Sequence, residues 1–246
     1  MSWATNSATP KRIPRRDRLI VALDVPGTAE ARALVTQLGE TVTFYKLGLE
    51  LFMAGGALEL SDWLVANRRR VFIDLKFFDV PETVRGAVRA LRGRGITLAT
   101  VHGNQRMMEA AAAEKGDVKI LAVTVLTSLD RSDLDDLGFA CDVERLVLSR
   151  ARRALEAGCD GVVSSGLEAP VLRRELGERL LVVTPGIRPV DNRPADDQKR
   201  TVGVAEAFAN GADYIVVGRP IRQARDPRVA AEGIQATIAS IFPTET

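Results

Sequence analysis

The chain has 246 residues, 46% hydrophobic and 27% charged, a composition that excludes a wholly disordered polypeptide and suits one domain with a large core. Its 34 Lys and Arg stand against 32 Asp and Glu, so the strong basic bias of a dedicated nucleic-acid binder is missing and small-molecule partners are expected. No apolar run approaches the roughly 18 residues of a membrane span, and the N-terminus lacks the apolar segment of a secretory signal, so a cytoplasmic protein with no membrane partner is expected.

The stretch up to residue 18 carries Lys11, Arg12, Arg15, Arg16 and Arg18 punctuated by Pro10 and Pro14, and residues 1–17 read as a solvated, disordered basic tail outside the fold, with contact to nucleic acid or acidic surfaces as the alternative. From residue 18 to 246, short apolar runs alternate with longer stretches of helical periodicity. Strands are expected at RLIVALDV (18–25), TFYKLG (43–48), VFIDLKF (71–77), TLATVHG (97–103), KILAVTVL (119–126), GVVSS (161–165), LLVVTPGI (180–187) and YIVVGR (214–219). Helices are expected at about 28–39, 50–68, 82–94, 104–114, 144–157, 168–177, 200–210 and 228–241. Alternation of this kind, in a chain of this size, predicts a single-domain (β/α)8 TIM barrel. A G-x-G-x-x-G turn after the first strand would favour an open doubly wound sheet, and it is absent. Cys141 and Cys159 have neither C-x-x-C spacing nor a partner set, so both are expected to be buried thiols rather than a zinc or redox site.

Side chains on a strand alternate between faces, so Ile20, Ala22 and Asp24 share one side of the first strand while Leu19, Val21 and Leu23 share the other. The same alternation turns Phe72, Asp74 and Lys76 into the barrel and Val71, Ile73 and Leu75 towards the helices. Lys46 points inward with Phe44 and Gly48. These charges fall at the C-terminal ends of strands, where barrels of this fold build active sites. Four charged groups on one rim are tolerable if they neutralise one another, because an isolated buried charge is costly. A salt-bridge network that merely plugs the barrel is the alternative.

A second cluster lies at the end of the chain. TPGIRP closes the seventh strand and VVGRPI the eighth, placing Gly186, Gly218 and Arg219 where barrels commonly bind phosphate. Glycine lets backbone N–H groups approach the oxygens, and arginine offers a forked cationic donor. A surface ion pair is the alternative for Arg219. Between these motifs, residues 188–200 form a long polar connection of the kind that makes a lid.

Together, ALDV with Asp24, YKLGLELF with Lys46, DLKFFDVP with Asp74, Lys76 and Asp79, VTVLTS with Thr127, TPGIRP with Pro185 and Arg188, DDQKR with Gln198, and VVGRP with Arg219 resemble orotidine 5'-phosphate decarboxylase. The resemblance runs in order from about residue 18 to 240. It implies decarboxylation of orotidine 5'-phosphate to uridine monophosphate in pyrimidine synthesis, without metal or organic cofactor. By the same resemblance, Asp74 lies against the substrate carboxylate. Lys76 stands beside the ring carbon that loses carbon dioxide and donates its proton. Lys46 bridges the array and touches ribose, whose hydroxyls meet Asp24. Thr127 and Pro185 line the pyrimidine pocket, and Arg188, Gln198, Gly218 and Arg219 hold phosphate. The resemblance further implies a homodimer in which Asp79, Val80 and Thr83 are presented to the neighbouring subunit's site.

One segment departs from the family's pattern. Where a small residue and paired glycines usually follow the fourth-strand histidine, this chain has His102, Gly103, Asn104 and Gln105. His102 itself is expected to be a satisfied barrel residue, since Lys76 already supplies a proton. Rival readings are a magnesium-dependent sugar-phosphate barrel, which carries an acidic ligand where this chain has Lys46, a Schiff-base aldolase, and a non-catalytic phosphate-binding barrel. A Schiff-base lysine needs apolar surroundings that lower its pKa, and the flanking carboxylates oppose that.

Overall fold

The computed structural model describes residues 11–188 and 200–243. Eight parallel strands close into a barrel in sequence order: β1 (Leu19–Ala22), β2 (Phe44–Gly48), β3 (Arg70–Phe77), β4 (Leu98–His102), β5 (Lys119–Val123), β6 (Gly161–Val163), β7 (Leu181–Thr184) and β8 (Tyr214–Val217), which pairs back to β1. Helix α1 (Thr28–Leu38) follows β1, α2 (Leu49–Met53) and α3 (Ala57–Ala66) follow β2, α4 (Pro81–Arg89) follows β3, and α5 (Gln105–Glu114) follows β4. After β5 come α6 (Arg131–Asp136) and α7 (Val143–Glu156), after β6 α8 (Ala169–Leu176), after β7 α9 (Val204–Ala209), and after β8 α10 (Arg219–Arg222) and α11 (Pro227–Ile241). The expected (β/α)8 barrel is the observed fold. Among the described residues no helix is long and apolar enough to cross a membrane.

The core has two layers, as strand alternation requires. Ile20, Ala22, Phe44, Phe72, Leu98, Leu121, Val183, Tyr214 and Val216 fill the barrel interior, where Phe44 meets Tyr214 edge-on with ring centroids 5.9 Å apart. Leu19, Val21, Leu23, Val71 and Ile73 face outward and pack against helix residues such as Leu34, Leu38, Leu60 and Leu64. The hydrophobic filling occupies the lower barrel and leaves the upper rim to polar groups.

Three local expectations are corrected. The single helix expected over 50–68 is two, because Gly55 and Gly56 take φ values of 85° and 71°, a left-handed turn that no continuous helix accommodates. The added helix α6 forms because Asp130 and Asp133 make a reciprocal capping box at its start. Residues 11–17 are not a disordered tail. Ile13 is buried in the inner core, Lys11 Nζ lies 2.6 Å from Asp213 Oδ2, and Asp17 accepts from Arg70 Nε at 2.9 Å and Thr43 Oγ1 at 2.8 Å. This segment closes the N-terminal mouth of the barrel. Its charges meet counter-charges that lie far away in sequence, Asp213 and Arg70, so local composition conceals their role. Residues 1–10 lie outside the described residues.

Candidate active site

At the opposite mouth, a cavity of about 530 Å³ is lined by Asp24, Lys46, Asp74, Lys76, Thr127, Pro185, Gly186, Arg188, Gly218 and Arg219, together with residues that the motifs did not single out, among them Glu50, Ser128 and Arg222. Its size is that of a small-ligand site. Charges from three adjacent strand ends meet there. Lys46 Nζ is 3.0 Å from Asp24 Oδ1 and 3.6 Å from Asp74 Oδ2, and Lys76 Nζ is 3.0 Å from the same Asp74 oxygen. The order of the array is therefore Asp24–Lys46–Asp74–Lys76, each charge flanked by its opposite.

Burial pushes the pKa of Lys46 down, but Asp74 and Asp24 push it up more strongly, and it lies above the ordinary lysine value. Burial likewise raises that of Asp74, and the two ammonium groups with the Thr100 hydroxyl outweigh it, holding the carboxyl below its ordinary range. Both residues are thus ionised at neutral pH. A lysine stabilised as ammonium is the reverse of what a Schiff-base nucleophile needs.

Local backbone geometry aims these groups. Ile73 pairs with Ala99 and Phe77 with Val101, so Asp74, Leu75 and Lys76 bulge opposite Thr100 alone. Lys76 sits at φ 49°, a left-handed conformation that costs a non-glycine residue on the order of 1–3 kcal/mol. Its backbone N–H donates to Thr100 Oγ1 at 2.9 Å, and Thr100 Oγ1 donates to Asp74 Oδ1 at 2.9 Å. Neither Thr100 nor Gly48 stood out in the sequence. Thr100 shares the inward face of β4 with Leu98, which was the available signal.

The phosphate-side expectations also gather at this cavity, where α10 begins at Arg219 directly after Gly218. Below Thr127, the Arg200 guanidinium donates to the carbonyls of Val125 (3.2 Å) and Leu126 (2.9 Å) and is paired with Glu168, both partners being largely buried. Gln198 and the central part of the expected lid, 189–199, lie outside the described residues.

Asp79, Val80 and Thr83 are elsewhere. All three are exposed, none lines the cavity, and the Asp79 carboxylate accepts the Val80 N–H at 2.6 Å. Within one chain the structure does not bring Asp79 to the Lys46–Asp74–Lys76 array. Its sequence neighbours Phe78 and Val80 are exposed apolar side chains, each 63% accessible, and Met53 at the end of α2 is 80% accessible.

His102 is half-buried, with Nδ1 2.9 Å from Asn104 Oδ1 and its ring 4.7 Å from that of Phe78. Burial lowers its pKa, and it does not line the cavity. Cys159 is buried and its thiol is pushed up to about 12, whereas Cys141 is only half-buried because it sits in the loop between α6 and α7. Among the described residues no group of three or more His, Cys, Asp or Glu is placed to hold a metal ion.

A family model described as "Orotidine 5'-phosphate decarboxylase / HUMPS family" matches residues 17–234. A protein of Methylococcus capsulatus named orotidine 5'-phosphate decarboxylase is 65% identical over 96% of this chain and 98% of its own length. One of the same name from Xanthomonas campestris pv. campestris is 52% identical over 93% of this chain and 95% of its own. The crystal structure of orotidine 5'-phosphate decarboxylase from Lactobacillus acidophilus superposes with a TM-score of 0.80 at 34% identity, covering 90% of this chain and 99% of that one. With its barrel, its charged rim and a family match over nearly its whole length, the chain belongs to the orotidine 5'-phosphate decarboxylase / HUMPS family.

Proposed function

We propose that the Asp24–Lys46–Asp74–Lys76 array, completed by Asp79 of the partner subunit, carries out decarboxylation of orotidine 5'-phosphate to uridine monophosphate. The enzyme class rests on the family match and on relatives of that name at 65% and 52% identity: the chain is an orotidine 5'-phosphate decarboxylase, a carboxy-lyase of pyrimidine synthesis. The observation that carries the mechanism is the Asp74 carboxylate, largely buried and shared through Oδ2 by two ammonium groups.

With the substrate bound, its carboxylate faces Asp74 and its ring carbon faces Lys76. The bond from that carbon to the carboxylate breaks, carbon dioxide leaves, and the electron pair stays on the ring carbon. Lys76 stabilises the growing negative charge and then delivers a proton to it, to be reprotonated from solvent. Because the array is already assembled, little reorganisation is needed when charge develops. Lys46 and Asp24 address ribose, Thr127 and Pro185 the pyrimidine, and Arg188, Gln198, Gly218 and Arg219 the phosphate.

Lys46 also bears on the magnesium-dependent rival. Its ammonium occupies the space between the Asp24 and Asp74 carboxylates, the place where a divalent cation would need both. The exposure of Asp79 together with Phe78, Val80 and Met53 supports a homodimer in which these residues meet the neighbouring site. We place the enzyme in the cytoplasm on the same reading.

The test is the fall in ultraviolet absorbance when purified protein meets orotidine 5'-phosphate. Lys76→Ala should abolish turnover and still bind uridine monophosphate. Substantial residual activity in that variant would remove Lys76 from the donor role.

A further inference from the structure

We infer that Thr100 is a positioning residue for the reaction, its single hydroxyl setting both the orientation of Asp74 and the backbone conformation of Lys76. The inference rests on the roles given to Asp74 and Lys76 above. Thr100 points into the barrel from β4 and is fully buried. The hydroxyl has one proton, and its hydrogen-bond directions are determined. The Lys76 backbone N–H can only donate, so Oγ1 accepts from it, and the hydroxyl proton goes to Asp74 Oδ1, each at 2.9 Å.

Two consequences follow from the bulge. Three residues of β3 stand opposite Thr100, so the ladder of backbone hydrogen bonds is interrupted where Lys76 sits, and the threonine side chain takes over the role of acceptor. That bond helps hold Lys76 at φ 49°, and so determines where its ammonium is carried. On the other side, Thr100 occupies Asp74 Oδ1 and leaves Oδ2 to Lys76 at 3.0 Å and Lys46 at 3.6 Å. Without the hydroxyl, the carboxylate is free to rotate about its terminal torsion, away from the orientation in which it faces both lysines. Thr100 does not itself line the cavity, whereas both of its partners do, so its effect passes through Asp74 and Lys76.

The experiment compares Thr100→Val, which keeps the shape and removes the hydroxyl, with Thr100→Ser, which keeps the hydroxyl. For Thr100→Val, kcat on orotidine 5'-phosphate should fall by roughly 10- to 100-fold, the scale of a small misplacement of reacting groups, while KM and the Kd for uridine monophosphate stay within about threefold. Thr100→Ser should recover most of kcat. The inference is overturned by an unchanged kcat in Thr100→Val, by equal impairment of the two variants, or by a loss carried in KM and Kd. Should Thr100→Val lack a cooperative thermal transition, Thr100→Ala and Thr100→Ser, both short of the native methyl, replace the pair. A higher kcat for Ser supports the hydroxyl's role, and equal values overturn it. Absent turnover by the unmodified enzyme would sink the parent reading and this inference together, whereas normal turnover with an indifferent Thr100→Val sinks this inference alone.

Discussion

Gly48 stands where any side chain would intrude on Lys46: a Cβ built at this glycine falls 2.9 Å from Lys46 Nζ and 3.0 Å from Asp24 Oδ1. The residue's φ of −104° is open to any amino acid, so the requirement is one of space and not of backbone freedom. Gly48→Ala should therefore leave the barrel folded and displace the ammonium, lowering kcat by about tenfold or more as the array loses its alignment. Steady-state kinetics beside a thermal melt checks this; a variant with unaltered kcat would show that Lys46 tolerates the shift.

Glu168 and Arg200 form a second buried pair, and its partners hold the loop that carries Thr127. Glu168→Ala leaves the guanidinium buried without its counter-charge, a change worth about 3 kcal/mol or more. In a domain of this size that corresponds to a fall in Tm of roughly 6–12 °C. Calorimetry of Glu168→Ala and of the double variant Glu168→Ala/Arg200→Met separates the two contributions: the double variant should be the more stable, because no orphan charge remains.

Asp79 lies on the outer surface beyond β3, away from its own cavity. If it serves the partner's site, mixed Asp79→Ala and Lys76→Ala subunits should complement. Each heterodimer would contain one intact site, giving about a quarter of wild-type sites from equal amounts under random pairing. Either variant alone should be nearly inactive. Recovery of no activity in verified heterodimers would return Asp79 to its own chain.

The pH dependence of stability follows from the signs of two shifts. The Asp74 carboxyl is held below its ordinary 3.8, so its contribution is complete above that value and is lost as pH falls through the native pKa. The Lys46 ammonium lies above its ordinary 10.5, so its contribution is complete below that value and is lost as pH rises through the native pKa. Urea midpoints of the wild type and Asp74→Asn, measured between roughly pH 2 and 7, should differ by a constant amount until about pH 4 and converge only below it. Convergence near pH 6 would contradict a depressed Asp74.

Much of this protein is legible in its sequence because the relevant rules are local. Period-two alternation in VFIDLKF places Asp74 and Lys76 inward and Val71 and Ile73 outward, and the structure puts all four there. The same rule, applied strand by strand, assembles Asp24, Lys46 and the barrel core. What lay beyond it depends on partners that no local pattern names. Ile13 and Lys11 look like part of a charged lead-in until Asp213 and the inner core are brought beneath them. Arg200 meets Glu168 across 32 positions of sequence. Thr100 is an ordinary strand residue until a bulge in the neighbouring strand leaves the Lys76 N–H facing it, and Gly48 is an ordinary strand end until two charged side chains converge over it. Alternation decides which face a side chain takes, because it is a property of one strand. Tertiary structure decides which atoms then share that face, because closure of the barrel sets the register between strands.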